Sequence, residues 1–408
     1  MQCGLLGKKL AHSYSPFIHG KLGDYTYDLF EKDPDELENF LKNGVFFGLN
    51  VTIPYKKAVI PFCAALSAEA EALGAVNTIV RREDGTLIGH NTDYFGFKVM
   101  LQHSGLSVAG KKVLVLGSGG ASNTAAAVLR DQCAHVVVIS RNGEDNYDNL
   151  CRHADAALIV NATPVGMYPN NAAAPLSLDG FSQLEGVLDL IYNPAKTKLL
   201  LEAEKRDIAA ENGLLMLVAQ AKESAQWFTG RIIDDTVIPA IHKALREQME
   251  NIILIGMPGS GKSTVGAILA ERTGKEFIDA DAYLEQKTGR NIPEIFATEG
   301  EAGFRSLETE VLRELGRLSG KIIATGGGCV TREENYPLLH QNGQIFCLQR
   351  EIANLPTEGR PLSQANALAE MHRIREPLYM QFADHFIDNN SRAEAAVAEI
   401  LKIWEETP

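Results

Sequence analysis

The chain has 408 residues, of which 45% are hydrophobic and 22% charged, and its formal net charge is −13. This length predicts two or three domains, and the composition is typical of a globular protein. The acidic balance argues against nucleic-acid binding, which needs a basic face. The six cysteines form no CxxC pair, so we expect neither a zinc site nor a disulfide scaffold, but reduced cytoplasmic thiols. We identify no signal peptide and no apolar run near the ~20 residues of a membrane helix.

Short apolar runs alternate with helical patterns along the chain, which favours an α/β fold built on parallel sheets. Strands are predicted at QCGLLG, FGLNVTI, KVLVLG, HVVVIS, ALIVNAT, GVLDLI, NIILIG, KIIATGG and QIFCL. Helices are predicted at 121–130, 196–206, 214–229, 236–250, 261–273, 301–318 and 367–382. A charged helix end, HKALREQME, meets the apolar strand that begins at Asn251, and we place the main domain boundary there.

Polar residues of the first ninety-three positions suggest a carbonyl-reducing site. Ser13 and Ser15 are one residue apart, and on an extended segment both would face one side. The alternative is a hydroxyl-rich cap of a helix that begins at Pro16. Lys56 follows a predicted strand, and Asp93 lies in GHNTD. A lysine held beside a carboxylate can transfer a proton to a carbonyl that is being reduced by hydride, although an isolated pair of this kind is more often a surface ion pair.

A glycine-rich turn follows the predicted strand KVLVL. Gly117, Gly119 and Gly120 stand between that strand and a predicted helix, as in a shortened dinucleotide fingerprint, although a glycine triad alone also fits a generic turn. Where NAD enzymes place a ribose-binding acid, the next strand ends in Ser140 and Arg141. A guanidinium at that place suits the 2′-phosphate of NADP, with Glu144 and Asp145 close enough to weaken the preference.

Eight stretches together resemble the shikimate dehydrogenase family, from Gly4 to about Leu245. They are HSYSP, NVTIPYK, GAVNTI, HNTD, GSGGA, NATPVGM, YNPAKT and MLVAQA. The resemblance implies that Lys56 and Asp93 are the catalytic pair. It implies a substrate site at Ser13, Ser15, Thr52, Asn77, Asp93, Tyr192 and Gln220. It implies an NADP site at Gly117, Ser118, Gly119, Gly120, Ala121, Ser140, Arg141, Thr163 and Gly213. The family's NRT is SRN here, and its next basic residue is missing, so NADP is expected over NAD without excluding it.

The stretch NIILIGMPGSGKST has the pattern of a phosphate-binding loop. Gly256, Gly261, Lys262 and Ser263 match G-x-x-x-x-G-K-[ST] between a strand and a helix. Backbone N–H groups of such a loop bind phosphates, the lysine reaches the β/γ-phosphates, and the serine hydroxyl binds Mg²⁺. The sequence therefore predicts ATP binding by Gly259, Ser260, Gly261, Lys262, Ser263 and Thr264.

Two acids and an arginine follow the loop. Asp279 and Asp281 end an apolar segment, where one carboxylate can orient Mg²⁺ and the other can take the proton of a hydroxyl. Arg305 is suited to bind a substrate carboxylate through both ends of its guanidinium. Alone, Asp-x-Asp is more often a helix cap and Arg305 more often a surface ion pair.

Residues from Asn251 to about Ile403 resemble shikimate kinase through GMPGSGKST, DAD, FRSLE, GGGCV, GRPL and REPLY. The resemblance implies substrate binding by Asp281, Arg305, Gly327, Gly328 and Arg375. It makes Asp281 and Lys262 catalytic, places Ser263 on Mg²⁺ with Asp279 acting on the ion through water, and brings Arg360 from a lid onto the phosphates. The family often has a further arginine that contacts adenine, near the position where this chain has Ala353.

The two resemblances together imply a bifunctional enzyme of the shikimate pathway. The first half would reduce 3-dehydroshikimate to shikimate with NADPH, and the second would phosphorylate shikimate with ATP and Mg²⁺. The implied domains are 1–92 with 214–250 for substrate, 93–213 as a Rossmann NADP-binding domain, and 251–408 as a P-loop kinase with a parallel sheet flanked by helices. We expect a cytoplasmic enzyme without nucleic-acid or membrane partners, and the sequence leaves the oligomeric state open. Alternatives are that one half only senses its ligand, or that the dehydrogenase half prefers quinate or NAD.

Overall fold

The computed structural model describes residues 1–10, 13–355 and 365–407, and the side chains of these ranges outside 365–367. The chain divides into two compact units, Met1–Asn193 with Thr197–Leu245, and Pro194–Lys196 with Arg246–Pro408. Among the described helices, none is long and apolar enough to cross a bilayer. The predicted α/β class is confirmed in both units.

A six-stranded mixed sheet opens the first unit, in the order β2-β1-β3-β5-β6-β4. Its strands are β1 (Gln2–Gly7), β2 (Thr26–Glu31), β3 (Gly48–Val51), β4 (Ala65–Leu66), β5 (Thr78–Arg81) and β6 (Leu87–His90). β2 and β3 are parallel to β1, whereas β5 runs antiparallel to both β3 and β6. The expectation of parallel pairing is wrong for β5 and β6, because the short connection 82–86 permits only an antiparallel pair.

The second sheet of this unit is parallel throughout, in the order β11-β10-β9-β7-β8. Its strands are β7 (Lys112–Leu116), β8 (His135–Ile139), β9 (Leu158–Asn161), β10 (Gly186–Asp189) and β11 (Ala209–Asn212). The strand order reverses at β7, which pairs with β8 on one side and β9 on the other. Such a reversal opens a crevice at the carboxyl ends of the strands, where α/β sheets bind their ligands.

Eight helices accompany these two sheets. They are α1 (Ser15–Leu22), α2 (Leu37–Asn43), α3 (Ala68–Leu73), α4 (Asp93–His103), α5 (Gly120–Asp131), α6 (Lys198–Glu204), α7 (Leu214–Thr229) and α8 (Val237–Met249). Helices α4 and α7 pack closely at Gly96, where a Cβ would lie 2.7 Å from the Met216 carbonyl oxygen. This packing matters for the site, because α4 begins at Asp93 and α7 carries Gln220.

The second unit contains one parallel sheet in the order β13-β14-β12-β15-β16. Its strands are β12 (Asn251–Ile255), β13 (Glu276–Asp279), β14 (Lys321–Ala324), β15 (Gly343–Gln349) and β16 (His385–Asp388). Its helices are α9 (Lys262–Thr273), α10 (Ala280–Thr288), α11 (Ile292–Leu315), α12 (Asn335–His340), α13 (Ala365–Phe382) and α14 (Ala393–Glu406). In the central strand, Ile253 and Ile255 join the apolar cluster on one face, and Ile252 and Leu254 join the cluster on the other.

Candidate active sites

Lys56 and Asp93 come together at the carboxyl edge of the first sheet. Lys56 follows β3, and Asp93 is the first residue of α4. The Lys56 Nζ donates to Asp93 Oδ2 at 2.6 Å. A carboxylate in the first turn of a helix is stabilised by the positive end of the helix dipole. Their side chains are 25% and 13% exposed, so both groups remain within reach of a small molecule in solution.

Asn77 is oriented by Thr92, the residue before Asp93. The Thr92 backbone N–H donates to Asn77 Oδ1 at 2.7 Å, and Asn77 Nδ2 donates to Thr92 Oγ1 at 3.0 Å. Because a backbone N–H can only donate, the Asn77 atom that faces it must be the oxygen. Thr92 is also the residue before Asp93, so one residue is in contact with both predicted site residues.

The Ser13–Ser15 segment differs from the extended conformation that we expected. Tyr14 has φ −83° and ψ −3°, and α1 begins at Ser15, which makes the extended reading wrong. The Ser13 Oγ accepts the Ser15 backbone N–H at 3.2 Å, as in the hydroxyl-rich helix start that we weighed as the alternative. The Tyr14 ring makes an edge contact with the Tyr192 ring, with centroids 6.3 Å apart. Thr52 follows β3 at the same sheet edge.

Gly213 precedes α7, and Gln220 lies in its second turn. Gln220 Nε2 donates to the Leu217 carbonyl oxygen of its own helix at 2.9 Å, and its oxygen is left for another partner. Gly213 is the N-cap residue of α7, and any Cβ there would overlap the Leu190 carbonyl. The requirement for glycine at 213 is thus explained by close packing against the residue after β10, independently of a cofactor.

The glycine turn after β7 fits a dinucleotide phosphate. Gly117 has φ +110°, which favours glycine, and Cβ atoms at Gly119 or Gly120 would meet nothing within 4 Å. The turn leads into the twelve-residue helix α5. Open space over the amino end of a helix provides free backbone N–H groups for an anion. Ser118 and Ala121 lie within the same turn.

The residues predicted around the cofactor's ribose end follow β8 and β9. Arg141 is exposed after β8, and the Ser140 backbone N–H donates to the Asp145 carbonyl oxygen at 3.2 Å. The Asp145 carboxylate contacts His153 Nε2 at 2.8 Å, so this acid already has a partner. Thr163 Oγ1 donates to Asn161 Oδ1 at 2.7 Å at the end of β9.

The predicted phosphate loop of the second unit has the backbone that such a loop requires. Gly256, Gly259 and Gly261 have φ of +140°, +85° and +98°, a region that favours glycine. Lys262 is buried, and its Nζ donates to the carbonyl oxygens of Gly256 and Met257 at 2.9 and 3.0 Å. The loop residue Ser260 is buried, whereas Thr264 in the first turn of α9 is exposed. The turn and the first turn of α9 therefore suit the phosphates of ATP.

Asp279 caps a helix and also contacts Ser263, with which it is predicted to act on Mg²⁺. Its Oδ1 caps α10 by accepting the backbone N–H groups of Asp281 and Ala282 at 3.1 and 3.3 Å. Its Oδ2 accepts the Ser263 hydroxyl at 2.8 Å. A hydroxyl and a carboxylate in contact beside a phosphate loop are oxygen ligands of the kind that Mg²⁺ prefers. The residues present therefore fit a magnesium ion.

Arg305 is buried and pairs with two acids of its own helix; its Nη2 donates to the exposed Glu301 Oε1 at 3.4 Å, and its closer contact is to a buried glutamate. Its Nη1 donates to Glu308 Oε2 at 2.7 Å, and Glu308 is 2% exposed. A Cβ at Gly326 would lie 2.6 Å from Glu308 Oε1 and 2.7 Å from Asp281 Oδ1. Burial, and next the Asp279 charge, raise the pKa of Asp281, while Lys262 and Arg305 oppose the rise. A carboxyl with a raised pKa is a stronger base once ionised, which suits proton transfer from a hydroxyl.

Gly327 contacts α13, and Gly328 contacts Arg305 of the same site. Arg375 Nη1 and the Tyr379 hydroxyl both donate to the Gly327 carbonyl oxygen, at 3.1 and 2.5 Å. A Cβ at Gly328 would overlap the Arg305 guanidinium. The predicted lid residue Arg360 lies outside the described residues. Ala353 is exposed in a short 3₁₀ turn, and its methyl group provides no hydrogen bond to an adenine.

Sequence reasoning missed Glu308, Tyr379 and Thr92. Glu308 is three residues after Arg305 in α11, and the i,i+3 spacing of opposite charges on a helix would have revealed the pair. Tyr379 follows Arg375 by four residues, which also places the two on one helix face. Thr92 lies inside the motif HNTD, but the motif alone carries no sign of its contact with Asn77.

Two family models match separate parts of the chain. The model of the shikimate dehydrogenase substrate-binding domain matches residues 5–79. The model of shikimate kinase matches residues 258–405. The two matches do not overlap, and they fall in the first and the second unit respectively.

Known proteins and solved structures match the N-terminal part of the chain, and each of the three described here covers 60% of its length. A shikimate dehydrogenase (NADP(+)) of Clostridium perfringens is 35% identical over 265 residues, which are 60% of this chain and 97% of that protein. The structure of a chorismate mutase/shikimate 5-dehydrogenase fusion protein from Clostridium acetobutylicum has a TM-score of 0.57 at 34% identity, over 60% of this chain and 97% of that one. A quinate dehydrogenase from Corynebacterium glutamicum in complex with NAD has a TM-score of 0.55 at 26% identity, over 60% and 98%.

Proposed function

We propose that this chain, which belongs to the shikimate dehydrogenase family and also carries a shikimate kinase domain, catalyses two consecutive reactions. The first is reduction of 3-dehydroshikimate to shikimate, and the second is phosphorylation of shikimate to shikimate 3-phosphate. The observation that carries the proposal is that both sets of reactive groups are assembled in one chain. Lys56 Nζ contacts Asp93, and the Ser263 hydroxyl contacts Asp279 beside Lys262.

Lys56 and Asp93 are assigned the proton transfer of the first reaction. NADPH supplies the hydride, which reduces the carbonyl carbon of 3-dehydroshikimate. Lys56 gives a proton to the carbonyl oxygen, which becomes the 3-hydroxyl, and solvent restores the proton to the lysine. The 2.6 Å contact with Asp93 holds the ammonium in place for proton transfer. Asn77 has an Nδ2 proton that the described contacts do not use and that can bind a substrate oxygen. The carboxylate of the substrate is assigned to the hydroxyls of Ser13 and Ser15.

NADP(H) is assigned to the crevice at the carboxyl ends of β7 and β9. The residues of the glycine turn, 117–121, bind the pyrophosphate with their backbone N–H groups. Arg141 is assigned to the 2′-phosphate, which supports NADP over NAD. The nearby Asp145 already contacts His153, so its carboxylate repels that phosphate less. Thr163 and Gly213 complete the site from the neighbouring strands.

The second reaction is assigned to the loop, the acids and the buried arginine of the second unit. ATP with Mg²⁺ supplies the γ-phosphoryl group. Lys262 neutralises charge on the phosphates, and Ser263 and Asp279 bind the metal ion. Asp281 accepts the proton of the shikimate 3-hydroxyl, and its raised pKa supports that role. Arg305 and Arg375 bind the substrate carboxylate, while the backbone at Gly327 and Gly328 provides room for the ring. Arg360 is assigned to the phosphates on the resemblance to shikimate kinase alone.

Three domains are proposed, with the predicted bounds 1–92 with 214–250, 93–213, and 251–408. The acidic chain is further proposed to be a cytoplasmic enzyme that acts on small molecules, without nucleic-acid or membrane partners.

The second candidate function keeps both enzymes but shifts the substrate or cofactor preference of the dehydrogenase towards quinate or NAD. It is favoured by the likeness to a quinate dehydrogenase bound to NAD. Turnover of shikimate and quinate with each cofactor separates the two.

Crossed single-site variants test the proposal. K56A should lose dehydrogenase turnover by about 10²- to 10⁴-fold, the usual contribution of a general acid, and should keep kinase turnover. D281N should show the reverse pattern. A K56A protein that reduces 3-dehydroshikimate at the wild-type rate would refute the assigned mechanism. A wild-type chain in which one half binds its ligand without turnover would support a sensing role for that half.

A further inference from the structure

Four buried polar side chains form a hydrogen-bonded cluster in the first unit. The cluster consists of Asn50, Thr78, Thr92 and Ser224, which are at most 5% exposed. They come from β3, β5, the N-cap of α4 and the middle of α7. Burial of so many polar groups costs stability unless every one has a partner. In this cluster each described polar side-chain atom has one.

Ser224 is the residue at which the cluster converges. Its Oγ lies 2.7 Å from Asn50 Nδ2, 3.0 Å from Thr78 Oγ1 and 3.0 Å from Thr92 Oγ1. The Ser224 hydroxyl itself donates to the Gln220 carbonyl oxygen at 2.8 Å. Since its one proton is used there, the Ser224 oxygen acts as an acceptor, and its two lone pairs can receive Asn50 Nδ2 and the Thr92 hydroxyl. The Thr78 hydroxyl instead donates to Asn77 Oδ1 at 3.1 Å.

These donor and acceptor roles fix the Thr92 hydroxyl. Thr92 Oγ1 accepts a proton from Asn77 Nδ2 at 3.0 Å. Its own proton has two acceptors in reach, Ser224 Oγ at 3.0 Å and Asn77 Oδ1 at 3.3 Å, and the shorter contact assigns it to Ser224. Asn77 Oδ1 receives the Thr92 backbone N–H at 2.7 Å and the Thr78 hydroxyl at 3.1 Å. The Asn77 oxygen is therefore saturated with donors. Of the two Asn77 Nδ2 protons, the described contacts use one.

We propose that Ser224 is a positioning residue for the dehydrogenase reaction. By accepting the Thr92 hydroxyl, Ser224 holds Thr92 Oγ1 as an acceptor for Asn77. The Asn77 amide is thereby fixed with its second Nδ2 proton directed at an acceptor oxygen of the substrate, a hydroxyl or carbonyl oxygen on the ring. This inference rests on the proposed dehydrogenase function, and it assigns Ser224 no contact with the substrate.

The test is the variant S224A, measured as kcat/KM for 3-dehydroshikimate with NADPH in the full-length chain. Alanine is a favourable helix residue, so the change removes one hydroxyl without breaking α7. We expect kcat/KM to fall about tenfold, as for the loss of one buried hydrogen bond, while the KM for NADPH stays unchanged. The matched control is T229V in the same helix, because the Thr229 hydroxyl also donates to a carbonyl four residues earlier, that of Ala225 at 2.8 Å. T229V should keep wild-type kcat/KM.

A double-mutant cycle with N77A separates positioning from a general structural role. If Ser224 acts through Asn77, N77A and the S224A/N77A double variant will have the same kcat/KM, because the second change has nothing left to misplace. Losses that multiply in the double variant would overturn the proposal, as would S224A activity within twofold of wild type. T92V, which removes the hydroxyl between the two residues, should behave as S224A does and serves if S224A folds poorly. A wild-type chain that does not reduce 3-dehydroshikimate would refute the proposed function instead, and shikimate phosphorylation by each variant confirms that the second unit is intact.

Discussion

Replacement of Gly328 by alanine tests the role of Arg305 without changing a charged group. Gly328 has φ −104° and ψ 3°, a backbone conformation that alanine can adopt, so strain is not expected. The added Cβ would overlap the Arg305 guanidinium. Arg305 is held at 2.7 Å by the buried Glu308, and the guanidinium must therefore move away from Gly328 within a closely packed site.

The expected cost follows from the contact that Arg305 would lose. If the guanidinium binds the substrate carboxylate, its displacement removes at least one hydrogen bond to a charged group, worth about 1.5–3 kcal/mol. At 1.36 kcal/mol for each factor of ten, kcat/KM for shikimate should fall about 10- to 150-fold. The dehydrogenase reaction should not change, since the substitution lies in the other unit.

The assay varies shikimate at saturating ATP and Mg²⁺ and follows ADP formation. Shikimate oxidation by NADP⁺ in the same preparation measures the amount of folded dehydrogenase. G20A is the matched control, because a Cβ at Gly20 in α1 would meet nothing within 4 Å, and both activities should remain at wild-type level. A G328A protein whose kcat/KM for shikimate lies within twofold of wild type would refute the placement of the substrate carboxylate at Arg305.

Three further predictions concern the metal ion and two carboxyl groups. S263A should raise the Mg²⁺ concentration for half-maximal kinase activity about tenfold, because one oxygen ligand is lost; an unchanged requirement would contradict the assigned metal site. Because burial and Asp279 raise the pKa of Asp281, kinase kcat/KM should begin to fall with decreasing pH before the ordinary value of 3.8 is reached, and a flat profile down to 3.8 would exclude Asp281 as the base. Burial raises the pKa of Asp189 to about 6 from 3.8, so the folded state keeps a proton that the unfolded state has released. The free energy of unfolding should therefore fall by roughly 3 kcal/mol as the pH rises from 3.8 to about 6. D189N should abolish this component in thermal unfolding curves recorded against pH, and identical curves for both proteins would contradict it.

The central strands could be predicted from the sequence because they are buried on both faces. The run NIILI became β12, whose alternate residues pack into opposite apolar clusters, and the eight other predicted strands also formed. Most edge strands were missed, although the edge strand β8 was predicted from its valine run, and the short interior strands β5 and β6 were missed as well. β2, TYDLFE, is largely exposed and carries charge, and β11, AAEN, has no large apolar residue. The predicted helix 301–318 is the second part of a longer element that Gly300 interrupts with φ 69°.

Within the sites, the sequence predicted the pairs that chemistry requires but not the contacts that hold them. Lys56 with Asp93 and Ser263 with Asp279 were expected together because catalysis needs those residue types in contact. The partners of Asn77 were not predictable in this way. Asn50 and Ser224 are 174 positions apart, and a single buried serine in a helix carries no pattern that identifies its hydrogen bonds. The conformation at Tyr14 was also missed, because hydroxyl-rich segments fit a strand end and a helix start equally well.

The most direct measurement is a single incubation of the purified chain with 3-dehydroshikimate, NADPH, ATP and Mg²⁺, followed by mass analysis of the products. The two proposed reactions predict shikimate 3-phosphate, with one NADPH oxidised and one ADP formed for each product molecule. Shikimate that accumulates without a phosphate ester would contradict the kinase assignment. Unchanged 3-dehydroshikimate, with NADPH and with NADH in its place, would contradict the dehydrogenase assignment and with it the consecutive scheme.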